Sequence, residues 1–236
     1  MSTKIKRMAN DILTINEPTM EIKEKQVSIK QADKITNLFY KEFFKNKVDE
    51  KIDLCDLKIN YQISDKYKNF KADAKVGTNK ALITLPNENN QRMIISLTHE
   101  KAHVYQKMNN ILYNEFVPSF FEILHATILD KENKGILSQN INYNVKCAKE
   151  AARKYLLYEV MYSDEEISYY AKYMFDFYRT INLLDVYFDK DKKDLVVKLL
   201  QENLFGNLKN KELINMLYLD KDIEDINKKT NRLKIN

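Results

Sequence analysis

Two of the three histidines in this 236-residue chain lie four residues apart in the segment His99-Glu100-Lys101-Ala102-His103. On a helix, residues i and i+4 stand one above the other, so both imidazoles can bind one metal ion. Zinc accepts imidazole nitrogen, and a catalytic zinc site needs three protein ligands and a position for water. Glu100 is placed to take a proton from that water. The spacing predicts a Zn²⁺ site with His99 and His103 as ligands and Glu100 as general base.

The third ligand has to come from another part of the chain, and the candidates are Glu115, Glu122 and His125. Eleven residues separate Glu115 from His103, which requires the motif helix to break soon after His103. Eighteen residues precede Glu122, enough for about two more turns, a connection and about two turns back. Because the apolar helical period continues to Met108, the count favours Glu122.

Each of these residues also has a purely structural interpretation. Ser119 and Glu122 have the spacing of a helix capping box behind Pro118, in which Glu122 would only cap a helix. His125 follows Glu122 by three residues, and it is a residue that orients a ligand, a donor to the transition state, or an ordinary helix histidine.

The motif and the segment after it resemble the gluzincins, the H-E-x-x-H zinc peptidases whose third ligand is a glutamate on the next helix. The eighteen-residue gap before Glu122 is similar to the aminopeptidase branch. Residues 114–124, NEFVPSFFEIL, resemble instead the E-x-x-S-x-x-x-E region of the oligoendopeptidase F and thimet oligopeptidase family, which implies Glu115 as ligand. The resemblance covers roughly residues 80–130 and implies cleavage of a peptide or protein substrate.

Two alternatives to such a peptidase remain open. The helix and strand pattern around the motif also resembles short phage-associated metallopeptidases that act on repressors. A non-catalytic regulatory or interaction module on a zincin fold is the other alternative.

Several gluzincins use a downstream tyrosine hydroxyl to stabilise the oxyanion, and the resemblance implies Tyr169, Tyr170 or Tyr173 for this role. Aromatic residues at helical spacing are also typical of a hydrophobic core.

The elements around the motif follow from the apolar periodicity. A helical period runs from Asp33, an alternating strand pattern covers residues 51–63, and two short strands flank the turn at residues 77–79. Pro86 closes the last strand, as is typical of an edge strand or a strand end. Helices are predicted at residues 90–110 and 115–130 and through most of the chain beyond.

The predicted fold is α+β and mainly α: a small three-stranded sheet with an edge strand over the motif helix, then a helical part, as in zincins. The predicted divisions are an N-terminal extension (1–31), a zincin-like core (32–130) and a helical C-terminal subdomain (131–236).

Composition limits the other classes of function. Three glycines and three prolines favour long helices, and the net charge of +5 comes from lysines interspersed with acids, which argues against a nucleic-acid surface. Cys55 and Cys147 are isolated and lack metal-ligand spacing. The lack of a long apolar run predicts a cytoplasmic protein with no membrane partner. No feature of the sequence specifies an oligomeric state.

Overall fold

The described part of the chain is mainly helical, with seven helices and three short strands. A computed structural model describes residues 3–17, 25–44, 58–65, 73–77, 80–87, 90–108, 115–132, 135–157, 164–189 and 191–205. In chain order the elements are α1 (Thr3–Leu13), α2 (Ile29–Phe44), β1 (Lys58–Ser64), β2 (Asp73–Gly77), β3 (Lys80–Pro86), α3 (Arg92–Met108), α4 (Phe116–Asp130), α5 (Ile136–Leu157), α6 (Asp164–Phe188) and α7 (Lys193–Phe205). The predicted α+β class with helix predominating is confirmed.

The three strands form one mixed sheet in the order β1-β3-β2. Strand β3 pairs in parallel with β1, where Tyr61 is opposite Ile83, and antiparallel with β2, where Ala74 is opposite Ile83. Of the two positions predicted for Pro86, the strand end is observed and the sheet edge is not, because β3 is central. Pro86 is its last residue, where the missing N–H costs the ladder least. The antiparallel edge strand is β2, and it packs against α3.

Helix α3 lies between two hydrophobic clusters. Met93, Ile94, Leu97 and Val104 pack with apolar side chains of β3 and with Val27 and Ala32. The side chains of Ile95, Ala102 and Tyr105 belong to the larger cluster formed by the other helices. Apolar side chains project from α3 towards both clusters. Its polar residues are therefore confined to the narrow strips between these two apolar faces.

Helix α4 is largely enclosed by other helices. Ten of its residues from Phe116 to Ala126 are buried, and it packs on α3, α5 and α6. A helix that is apolar on nearly every side is stable only inside a core. Pro118 lies in its first turn, where a missing N–H leaves no helical hydrogen bond unmade.

The largest cluster draws side chains from all three predicted divisions of the chain. Helix α1 contributes Met8, Ala9 and Ile12 and packs on α5. The divisions at residues 31 and 130 stay a prediction, although the apolar core is continuous across both positions. Cys147 is a partly buried free thiol, and Cys55 lies outside the described residues.

Candidate metal centre

The motif residues are brought together on one side of α3. The ligand atoms of His99, Glu100 and His103 all lie within 4.8 Å of one another, a grouping that could hold a metal ion. The Nε2 atoms of His99 and His103 are 3.1 Å apart. The four-residue spacing therefore directs the two imidazoles at one point, as predicted.

Glu115 supplies the carboxylate that faces both histidines. Its Oε2 lies 3.2 Å from Nε2 of His99 and 3.3 Å from Nε2 of His103. Glu115 is the residue directly before α4, and its backbone N–H donates to Oδ2 of Asp176 on α6 at 3.1 Å. Helix α3 continues to Met108, as predicted, yet Glu115 still reaches the level of His103. The premise that α3 must break at once for Glu115 to reach the site is therefore wrong.

Glu122 lies on the other side of the first histidine. Its Oε2 is 2.8 Å from Nδ1 of His99, and its Oε1 accepts a hydrogen bond from Nδ2 of Asn140 at 2.5 Å. The capping-box interpretation of Ser119 and Glu122 is wrong, because α4 begins at Phe116 and both residues lie inside the helix.

The second nitrogens of the two histidines have different partners. His99 faces the Glu122 carboxylate from α4, whereas Nδ1 of His103 faces Oε1 of Gln106 on its own helix at 3.2 Å. In the neutral ring, an acceptor at Nδ1 holds the hydrogen there and leaves Nε2 with its lone pair. Both imidazoles thus present Nε2 to the same point.

The surroundings of the two imidazoles shift their pKa values in opposite directions. Burial lowers the pKa of His99, but hydrogen bonds with Glu115 and Glu122 outweigh it and hold the pKa well above its usual value. Burial dominates at His103, and its pKa is lowered despite the hydrogen bond with Glu115. Burial also raises the pKa of Glu115, yet hydrogen bonds with the two histidines bring that pKa well below its usual range.

The site is reached from the side of His99 and Glu115. Their side chains are 19% and 18% exposed, against 3% for His103. Glu100 and Glu122 are buried. Solvent therefore reaches His99 and Glu115 more readily than the other residues of the site.

Lys101 points away from the histidines and towards α2. Its Nζ donates to Oδ1 of Asp33 and to Oδ1 of Asn37, each at 2.6 Å, and both partners lie on α2. Tyr61 of β1 also donates its hydroxyl to Asp33. This contact joins α2, α3 and the sheet beside the site without taking part in it.

His125 has the structural role considered for it. Its Nδ1 lies 2.7 Å from Oγ1 of Thr98, and its ring stacks on Phe39 with centroids 4.1 Å apart. The Thr98 hydroxyl already donates to the Ile94 carbonyl oxygen, so His125 is the donor in this pair. Burial, and then the charge of Lys101, lower the pKa of His125 to about 3, which keeps the ring neutral.

The predicted tyrosines lie on α6 in different surroundings. Burial and then the Glu115 carboxylate raise the pKa of both Tyr169 and Tyr173. Tyr169 is 57% exposed, whereas Tyr173 packs against the large core. Tyr170 has Lys154 over its ring at 5.3 Å.

Four further residues contact the site or lie beside it, and no motif in the sequence marks them. They are Gln106, Asn140, Tyr143 and Asp176. Burial raises the pKa of Tyr143, and Cys147 and the carboxylates of Glu122 and Glu115 raise it further. The amphipathic period could mark Asn140 and Asp176 as buried polar positions, but their partners lie 18 and 61 residues away.

No helix in the described part of the chain has the length and apolar character needed to cross a membrane. A scan against protein-family models gives no match, and searches of curated proteins and of solved structures give none. The side-chain geometry therefore carries the functional conclusion.

Proposed function

We propose that the protein is a zinc-dependent metallopeptidase of gluzincin type, with zinc held by His99, His103 and Glu115 and with Glu100 as general base. The observation that carries the proposal is the convergence of His99 Nε2, His103 Nε2 and Glu115 Oε2, with separations of 3.1, 3.2 and 3.3 Å. This assignment replaces Glu122 by Glu115 as the third ligand.

The donor set fits a zinc ion in chemistry and in size. Zinc takes imidazole nitrogen and carboxylate oxygen at about 2.0–2.2 Å, so the corners of its tetrahedron lie roughly 3.3–3.6 Å apart. The three observed separations are at or just below this range. Two histidines and a glutamate, with a fourth position for water, are also the ligand set of catalytic zinc in several peptidases.

The two buried partners of the histidines fit the same assignment. In zinc sites, a ligating imidazole donates its other N–H to a carboxylate or another acceptor, which fixes the ring. Glu122 does this for His99 and Gln106 for His103. Glu122 is thus better explained as the residue that orients His99.

Zinc bound here would supply Lewis-acid activation of a water molecule and of a peptide carbonyl. Glu100 is buried beside the two ligand nitrogens, where its carboxylate can take the proton from the attacking water and pass it to the leaving amine. Of the three predicted tyrosines, Tyr169 and Tyr173 lie in the field of Glu115, and either could donate to the developing oxyanion. Burial raises the pKa of both, so each hydroxyl keeps its proton.

The test compares zinc content with peptide cleavage. We expect about one zinc per chain in the wild type and its loss in His99→Ala. Glu100→Gln should keep the zinc and lower cleavage of a peptide library by roughly 100- to 10,000-fold, the usual contribution of a general base. Glu132→Gln, at an exposed position just after α4, is the matched control and should retain full activity.

Two results would count against the enzyme. Cleavage by Glu100→Gln at the wild-type rate would remove Glu100 from the mechanism. A zinc-loaded wild type that cuts neither a peptide library nor folded repressor proteins would favour the non-catalytic module.

A further inference from the structure

Asn140 on α5 is joined to the candidate metal centre by a chain of hydrogen bonds. Its Nδ2 donates to Oε1 of Glu122 at 2.5 Å, and Oε2 of Glu122 lies 2.8 Å from Nδ1 of His99. Asn140 and Glu122 are both buried. Three side chains, from α5, α4 and α3, thus form a hydrogen-bonded chain that ends on His99, the histidine that also faces Glu115.

The contact with Asn140 restricts the Glu122 carboxylate. The terminal torsion of a glutamate is broad, so a carboxylate with a single partner can turn about it. Glu122 uses one oxygen for His99 and the other for Asn140, which fixes the plane of the group. A fixed plane keeps Oε2 on Nδ1 of His99 and therefore keeps Nε2 directed at the metal position.

Stability alone does not account for an amide at this position. Among the described residues, no donor lies within hydrogen-bond distance of Asn140 Oδ1, although this atom is buried. A buried polar atom without a partner costs about 1–3 kcal/mol, which an apolar residue would avoid. The contribution of Asn140 therefore lies in the N–H that it donates to Glu122.

We propose that Asn140 is a positioning residue for the metal, and that it acts on His99 only through Glu122. This inference rests on the proposed zinc function. It predicts that removal of the Asn140 amide weakens zinc binding, and that the weakening disappears once Glu122 is gone.

The test is a double-mutant cycle on zinc affinity, measured by competition with a chromophoric chelator. Removal of a residue that orients a metal ligand costs 10- to 100-fold in affinity, so we expect a loss in that range for Glu122→Ala. For Asn140→Leu, one residue further from the metal, we expect a loss of roughly 3- to 10-fold. In the Glu122→Ala background, Asn140→Leu should change the affinity less than about 2-fold, because residues in one network are not additive.

The controls separate positioning from general damage to α5. Asn144→Ala removes an amide one turn further on, which donates to the backbone oxygen of Asn140, and it should leave zinc affinity unchanged. Asn140→Ala deletes the same N–H as Asn140→Leu but loses volume, so agreement between them attributes the effect to the hydrogen bond. The visible spectrum of the Co²⁺-substituted protein should change in both Asn140 variants, because it reports ligand geometry.

The outcomes distinguish this inference from the function on which it rests. Additive effects of Asn140→Leu and Glu122→Ala, or wild-type zinc affinity in both Asn140 variants, would overturn the positioning role. A wild type that binds zinc, shows the predicted cycle and cuts no substrate would overturn the peptidase but not the role of Asn140. A wild type that binds no zinc would overturn both.

Discussion

Helix α3 has charged contacts on two sides, and the charges are balanced differently on each. On the side of α2, the ammonium of Lys101 meets one carboxylate, Asp33, together with the neutral amide of Asn37. On the side of α4, two imidazoles meet the carboxylates of Glu115 and Glu122, and Glu100 lies beside them.

The difference distinguishes a structural ion pair, that of Lys101 with Asp33, from a site that could bind a metal ion. The Lys101 contact is neutral as a whole, so it is complete within the chain. The histidine side carries three carboxylates for two imidazoles, of which one is held neutral by burial. Carboxylates and neutral imidazoles are ligands that divalent cations take in proteins, so this side is suited to a metal ion.

The largest expected effect is on zinc affinity, and it distinguishes Glu115, directly before α4, from Glu122 within it. We expect Glu115→Gln to lower zinc affinity by more than about 100-fold, because it removes a ligand. Glu122→Gln should cost about 10- to 100-fold, as expected for a residue that orients a ligand. Chelator competition on both variants measures the difference, with Glu132→Gln as the control. A larger loss in Glu122→Gln would restore Glu122 as the third ligand.

The next largest effect is on stability, and it tests the ion pair of Lys101 with Asp33. Lys101→Met should lower the free energy of unfolding by about 2–4 kcal/mol, because it leaves Asp33 without its charged partner. The value lies towards the low end for a broken pair because the Asp33 side chain is 33% exposed. Urea unfolding measures the loss, and Lys101→Met combined with Asp33→Asn should recover part of it. Zinc affinity of the folded variant should equal that of the wild type, and a parallel loss would contradict the division between the two sides.

The smallest effect concerns protons. Because the pKa of His99 is raised and that of His103 is lowered, the His99 ring is positively charged at pH 7 and the His103 ring is neutral. Zinc requires both imidazoles neutral, so its uptake should release about one proton. Between the lowered pKa of His103 and the raised pKa of His99, each unit of increasing pH should strengthen zinc binding about tenfold.

Calorimetry in two buffers of different ionisation enthalpy counts the released protons. Glu122→Gln should reduce the number, since it removes one of the carboxylates that hold the proton on His99. Release of two protons, or of none, would contradict the assigned difference between the histidines.

The sequence predicts the parts of the site that depend on spacing within one helix. The pairing of His99 with His103 follows from the helical period. So does the direction of Lys101, which lies on a different side of α3 from the two histidines. The count of residues from His103 does not establish the third ligand, because it measures distance along helix axes. It does not include the path of the connection or the reach of a side chain that stands before α4.

Other parts of the site depend on contacts across the fold. Asp176 holds the backbone of Glu115 from 61 residues away, and Tyr40 of α2 donates its hydroxyl to the carbonyl oxygen of Thr98 from 58 residues away. Neither residue has a motif around it, so only the packing of α2 and α6 identifies its role. The central position of β3 is likewise a matter of strand order, which its own residues do not specify.

The sequence separations of these contacts have a kinetic consequence. His99 and Glu115 are only 16 residues apart, whereas Lys101 and Asp33 are 68 apart. Closing a short loop costs little chain entropy, and contacts distant in sequence form more slowly. We therefore expect zinc to be captured early in folding by the α3–α4 segment, with weak affinity. Its dissociation should then slow as α2 and α6 pack, and the metal would act as a folding nucleus before it acts in catalysis.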